Sequence, residues 1–259
     1  MATEVNEILR KIKQQKPFIL TITNYFPMSY VASGIRALGA FPLMCNAVEE
    51  IEELLGISKS VVINLGKLDN PFIKLCNNIC KIANQMNVPV VLDPVGAGAS
   101  RYRTDAALNL IKKYQISTVR GYPNEIASLL TGELVIQNNN YLVEDKIVIE
   151  NAKALSKKYN VAVVASGKKH MVVDLAQISQ FNFDSALVQK VAGIGNVLSG
   201  VIGAFNAVEK DRFLSTKSAV HFYAECVGPT SSGAPGPASL ITGIIDQLYI
   251  NSSKAQLYK

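Results

Sequence analysis

Two glycines, Gly193 and Gly195, run into Asn196 and then into the apolar stretch 197–205. Glycine lets successive backbone N–H groups turn toward an anion at the positive end of a helix. The segment Val191-Ala192-Gly193-Ile194-Gly195-Asn196 is therefore suited to hold a phosphate or a phosphoryl group in transfer. Asn196 ends the turn with an amide, which can orient a hydroxyl but has no useful basicity at neutral pH. Three further segments supply complementary groups. Asp93 precedes the small-residue run Pro94-Val95-Gly96-Ala97-Gly98-Ala99, Arg120 precedes Gly121-Tyr122-Pro123-Asn124-Glu125, and Ser166 precedes Gly167. Two acids able to direct magnesium, a guanidinium for phosphate, a hydroxyl and an anion hole make up the inventory of magnesium-dependent phosphoryl transfer.

Each of these residues also has an ordinary structural role open to it. Asp93 could close a strand-end turn, Glu125 could complement a helix N-terminus, and Arg120 could form an ion pair. Ser166 could be a turn hydroxyl, and the two glycines could allow close helix packing. Their joint placement after successive strands favours chemistry. No Walker-type Gly-x-x-x-x-Gly-Lys-Ser/Thr segment is present, and no Gly-x-Gly-x-x-Gly follows an early strand.

The elements that must position these groups alternate. Apolar runs at Phe18–Ile22, Val61–Leu65, Pro89–Asp93, Thr118–Gly121 and Val161–Ala165 read as buried strands. Helical spacing occupies Val48–Leu55, Phe72–Met86, Asp105–Tyr114 and Asp145–Tyr159. An amphipathic helix carrying Val5, Ile8, Leu9 and Ile12 precedes them, and Gly233–Ser239 reads as a loop into a last helix, Leu240–Tyr249. Alternation of this kind predicts a mainly parallel sheet covered on both faces, with ligands beyond the carboxyl ends of the strands.

The 259 residues, 49% hydrophobic, are enough for one large core, and we expect a single domain over 1–259. The net charge of +6 comes from dispersed lysines and arginines. That argues for a solvated surface attractive to nucleotides and against nucleic-acid binding. Cys45, Cys76, Cys80 and Cys226 lack metal or redox spacing and read as buried thiols in a reducing compartment. The uncharged stretches 17–35 and 191–208 are interrupted by proline, asparagine and glycine, so neither is expected to span a membrane, and a cytoplasmic location is expected. Gln137-Asn138-Asn139-Asn140 reads as a loop, and His170 and His221 as surface or core residues.

The chain resembles the hydroxyethylthiazole kinases of the ribokinase-like superfamily from about Thr21 to Tyr249. The resemblance rests on Ile22-Thr23-Asn24-Tyr25, Ala37-Leu38-Gly39-Ala40 with Pro42 and Met44, Glu49-Glu50, Asn64-Leu65-Gly66, Asp93 to Ala99 with Tyr102-Arg103, and Glu125-Ile126. It implies a ribokinase-like three-layer α/β sandwich. It also implies ATP- and magnesium-dependent phosphorylation of the primary hydroxyl of 4-methyl-5-(2-hydroxyethyl)thiazole in thiamine biosynthesis or salvage, by a homotrimer with sites at subunit interfaces. Carried over by position, Met44, Asn24 and Gly193 would meet the thiazole, and Arg120 and Ser166 the nucleotide. Asp93 and Glu125 would organise magnesium, while Gly193, Gly195 and Asn196 would form the catalytic turn.

The chain departs from the family pattern at that turn, where Ala192 and Ile194 replace small or hydroxyl residues and Asn196 stands where a cysteine or aspartate is usual. Tyr122 replaces the asparagine of an Asn-x-x-Glu motif, Ser166 a threonine, and Lys67 the threonine after the Asn64 strand. Slow kinase chemistry is expected, because positioning and charge stabilisation carry most of phosphoryl transfer. A kinase of a related heteroaromatic alcohol and a non-catalytic ligand-binding homologue are the alternatives.

Overall fold

The computed structural model describes residues 2–23, 25–135, 143–182 and 186–255. In chain order its elements are α1 (Ala2–Gln15), β1 (Phe18–Ile22), α2 (Met28–Ala37), β2 (Phe41–Met44), α3 (Ile51–Ile57), β3 (Ser58–Asn64), α4 (Asn70–Gln85), β4 (Val90–Asp93), α5 (Arg101–Lys113) and β5 (Thr118–Gly121). They continue with α6 (Pro123–Thr131), α7 (Asp145–Tyr159), β6 (Ala162–Ser166), β7 (Lys169–Asp174), β8 (Gln177–Asn182), α8 (Ile194–Asn206), α9 (Arg212–Gly233) and α10 (Pro237–Lys254). One sheet takes the order β2-β1-β3-β4-β5-β6-β7-β8. The pairings from β2 through β6 are parallel, and β6-β7-β8 close the edge as antiparallel neighbours.

Side chains alternate across a strand, so a strand buried on both faces feeds two cores. Ile19, Val62, Val91 and Val164 point into one core, shared with α1, α2, α8, α9 and α10. Leu20, Val61, Ile63, Leu92 and Val163 point into the other, shared with α3 to α7. The result is the expected three-layer α/β sandwich. Gly203 brings α8 onto the sheet: a β-carbon there would lie 2.5 Å from Val62 Cγ2.

The sequence-derived elements recur with shifts. The helix expected over Val48–Leu55 divides into a short 3-10 turn at Val48–Glu50 and α3, and Gly233 and Pro237–Ser239 are helical, which leaves only 234–236 as linker. The four cysteines are free and buried, and burial pushes the thiols of Cys80 and Cys226 up to about 12. Among the described residues no helix is long and apolar enough to cross a membrane. The expected loop at Gln137–Asn140 and Asn24, expected to meet the substrate, lie outside the described residues.

Candidate active site

The hydrophobic runs of β4 and β6 end in a polar residue at the carboxyl edge, β5 carries Arg120 one residue before its end at Gly121, and there the chain assembles its charged groups. Asp93 closes β4 and is fully buried. Its Oδ2 accepts hydrogen bonds from Ser199 Oγ on α8 at 2.8 Å and from Arg120 Nη1 on β5 at 3.4 Å. Arg120, only 4% exposed, also donates from Nε to Ser166 Oγ at 3.0 Å, and its guanidinium lies 5.1 Å from the centre of the Tyr122 ring. Burial opposes the Arg120 charge, but Asp93, Tyr122 and Glu125 outweigh it and hold its pKa above the ordinary value. Burial likewise pushes Asp93 up, against the pull of Arg120 and Ser199. Asp93 Oδ1 has no hydrogen-bond partner. Asn64 is its register neighbour on β3 and lowers its pKa as a nearby donor, yet Asn64 Nδ2 and Asp93 Oδ1 do not reach full hydrogen-bond geometry.

Glu125 enters from the first turn of α6, which Pro123 opens with a ring that has no N–H to lose. Both carboxylate oxygens are held by main-chain donors: Oε2 accepts from Tyr122 N–H and Oε1 from Gly96 N–H, each at 2.7 Å. Burial, with the charge of Asp93 behind it, raises the Glu125 pKa to about 7, while the two N–H groups and Arg120 pull the other way.

The two glycines of the turn behave differently, since Gly193 has a left-handed φ and Gly195 already lies inside α8. Gly193 caps α8 at φ +96°, a left-handed conformation that side chains disfavour, and Val197 N–H donates the first helical bond to Gly193 C=O at 3.0 Å. Tyr223 Oη on α9 donates to Ile194 C=O at 2.8 Å and ties down that first turn. Gly195 lies under the Arg120 guanidinium, where a β-carbon would sit 2.6 Å from Cζ. A helix N-terminus leaves its first N–H groups without intrahelical partners, so the turn offers donors to an anion beside a fixed guanidinium.

Direct contacts therefore unite Asp93, Arg120, Ser166 and Gly195. Glu125 joins them through Gly96, and Gly193 and half-buried Asn196 flank Gly195 on the same turn. Met44 ends β2, three sheet neighbours from β4, which at the usual strand spacing is about 14 Å. Sequence reasoning missed Ser199 and Tyr223, and it read His170 as a surface or core residue, which its burial bears out. Ser199 is the one hydroxyl within the apolar run, four residues past Gly195, and that spacing was the available signal. His170 pairs with Ser166 across β6 and β7 and lines the cleft beside Arg120, where burial first and the Arg120 charge second lower its pKa to about 3. A roomier cleft lined by Lys112, Tyr114, Lys158 and Arg212 lies at the opposite end of the sheet and shares none of these groups.

The hydroxyethylthiazole kinase family model matches residues 9–253. A hydroxyethylthiazole kinase of Brachyspira hyodysenteriae is 34% identical over 252 residues, covering 96% of this chain and 95% of its own. One from Methanocella arvoryzae is 30% identical over 248 residues, covering 96% and 93%. The solved structure of the hydroxyethylthiazole kinase protein from Pyrococcus horikoshii OT3 superposes with a TM-score of 0.88 at 27% identity, over 100% of this chain and 97% of that one. The fold extends further, to an ADP complex of Bacillus subtilis pyridoxal kinase, with a TM-score of 0.63 at 14% identity over 82% and 92%. A family match across nearly the whole chain, on a sheet whose strand tips converge on a glycine-capped helix, has one meaning: the chain is a kinase and belongs to the hydroxyethylthiazole kinase family.

Proposed function

We propose that the chain, acting as one kinase domain, transfers the γ-phosphate of ATP to the primary hydroxyl of 4-methyl-5-(2-hydroxyethyl)thiazole in thiamine biosynthesis or salvage. The observation that carries this reading is the placement of the Arg120 guanidinium against the N-terminal turn of α8, with Asp93 behind it. Positive charge and helix N–H groups then face the same point, where the transferring phosphoryl group can be stabilised. Arg120 and Ser166 bind the nucleotide, Gly193 and Gly195 shape the anion hole, and Met44 and Asn24 contact the thiazole. Asn196 orients the hydroxyl without taking its proton, so turnover is slower than general-base assistance would allow.

Magnesium fits the acids present. Among the described residues no group of three or more His, Cys, Asp or Glu side chains forms a metal cage, and magnesium commonly uses one or two carboxylates with phosphate oxygens and waters. Asp93 offers an unpartnered Oδ1, and Glu125 is held rigid beside it by two N–H donors. When bound, the ion would neutralise charge on the nucleotide phosphates. We place the protein in the cytoplasm as a homotrimer with interfacial sites, an assembly that light scattering on the purified protein tests.

A coupled ATP-consumption assay across thiazole and pyrimidine alcohols tests the activity. Alcohol-stimulated turnover supports the reading, and its absence in protein that binds ATP overturns it. That second result would favour a non-catalytic ligand-binding role, for which the amide at Asn196 is the motivating feature.

A further inference from the structure

We infer that Arg103 is a positioning residue for both acids, clamping the loops that follow β3 and β4. Arg103 lies in the first turn of α5 and sends its guanidinium back over the carboxyl edge of the sheet. Nη1 donates to Leu65 C=O at 3.0 Å and to Val95 C=O at 3.1 Å, and Nη2 donates to Gly66 C=O at 3.2 Å. All three acceptors are main-chain carbonyls, two on the loop after β3 and one on the loop after β4. One planar fork thereby fixes the separation of two loops, which a lysine ammonium on a flexible stem does not reproduce.

Each loop leads to one acid. On the β4 side, Val95 is followed by Gly96, whose N–H donates to Glu125 Oε1 at 2.7 Å. Gly96 has φ +80°, and a β-carbon there would lie 2.9 Å from Arg103 Cδ, so glycine is required both by the backbone and by the arginine stem. On the β3 side, Gly66 N–H donates to Asn64 Oδ1 at 2.9 Å. That bond fixes the amide so that Nδ2 is left for the Asp93 side, across the β3–β4 register. Leu65 N–H also donates to Asp93 C=O at 2.9 Å. The guanidinium thus acts on Glu125 through Val95 and Gly96, and on Asp93 through Leu65, Gly66 and Asn64. It touches neither carboxylate.

This inference rests on the magnesium-dependent phosphotransfer reading, and its test separates the two. In the full-length protein, Arg103→Lys, Arg103→Ala and Gly96→Ala are compared with wild type in two measurements. The first is turnover against magnesium concentration at saturating ATP and alcohol. The second is amide hydrogen exchange over residues 64–66 and 94–98 without metal. All three variants are expected to need about tenfold more magnesium, the usual scale for losing a group that orients metal ligands, while the KM for alcohol stays within about twofold. Exchange speeds up in 94–98 in all three, and in 64–66 in the two Arg103 variants. Millimolar guanidinium ion restores part of the Arg103→Ala activity. Variants that melt earlier yet keep wild-type magnesium dependence and wild-type exchange overturn the proposal and leave Arg103 a stability residue alone. If wild type shows no turnover, the kinase reading fails and the exchange comparison still decides whether the clamp exists. If Arg103→Ala does not fold, Arg103→Lys and Gly96→Ala carry the test.

Discussion

Arg120 lies so close over Gly195 that no side chain fits between the guanidinium and α8: a β-carbon would approach Cζ to 2.6 Å. Gly195→Ala must therefore either displace Arg120 from Asp93 and Ser166 or lift the helix. Overpacking of this kind costs about 1–3 kcal/mol. We expect a lower denaturation midpoint together with weakened ATP binding, both read on the same sample by urea unfolding and calorimetric titration.

Asn196 is half-buried on the same turn, without a group that accepts a proton. Asn196→Asp or Asn196→Cys should raise turnover by about 10² to 10⁴, the range that general-base assistance supplies, with little change in ATP affinity. Steady-state kinetics on the two variants check this. An unchanged rate in both assigns the limit to the substrate pocket.

Ser199 Oγ donates to the buried Asp93 carboxylate at 2.8 Å. Hydrogen bonds to charged groups contribute about 1.5–3 kcal/mol. Ser199→Ala should lower stability by that amount and should also raise the magnesium requirement, since Asp93 loses the bond that orients Oδ2. Urea unfolding and a magnesium titration of activity measure the two effects.

Glu125 and His170 give stability opposite dependences on pH. The folded pKa of His170 is lowered to about 3, so its contribution is complete above about 6.5 and is lost as pH falls, because the unfolded chain takes up the proton first. The folded pKa of Glu125 is raised to about 7, so its contribution is complete below about 4.5 and is lost as pH rises through 7. Between pH 7 and pH 5 each amounts to about 2 kcal/mol, with opposite signs. His170→Gln should therefore gain stability relative to wild type on going from pH 7 to pH 5, and Glu125→Gln should lose it. Urea midpoints at the two pH values give the answer.

The groups at the strand tips were legible because a parallel strand buried on both faces is an unbroken apolar run, and its first polar residue marks the edge. Asp93 and Ser166 announced themselves this way, whereas Arg120 follows the shorter Thr118-Val119 and stood out as a charge between a β-branched pair and Gly121-Tyr122-Pro123. Strand β8 did not, because it is an edge strand with exposed Gln177, Ile178 and Gln180 and no buried run to detect. Helix α9 escaped for the opposite reason. It is enclosed by α1, α8, α10 and the sheet, so buried Ser215, Thr216 and Ser218 interrupt any single apolar stripe. The grip of Gly96 on Glu125 spans 29 residues and exists only once α6 has docked beside the β4 loop.

Helix α8 meets the sheet through Gly203 and the Arg120 guanidinium through Gly195, two and a quarter turns apart on one rod. Contact at two such points, each without an intervening side chain, removes the freedom to rock or slide. On the proposed reading, an incoming phosphate would find donors that have already lost their entropy during folding, and little reorganisation would remain for the moment of transfer. The stiffness of the hydrophobic core and the readiness of the proposed anion hole would then be a single mechanical property.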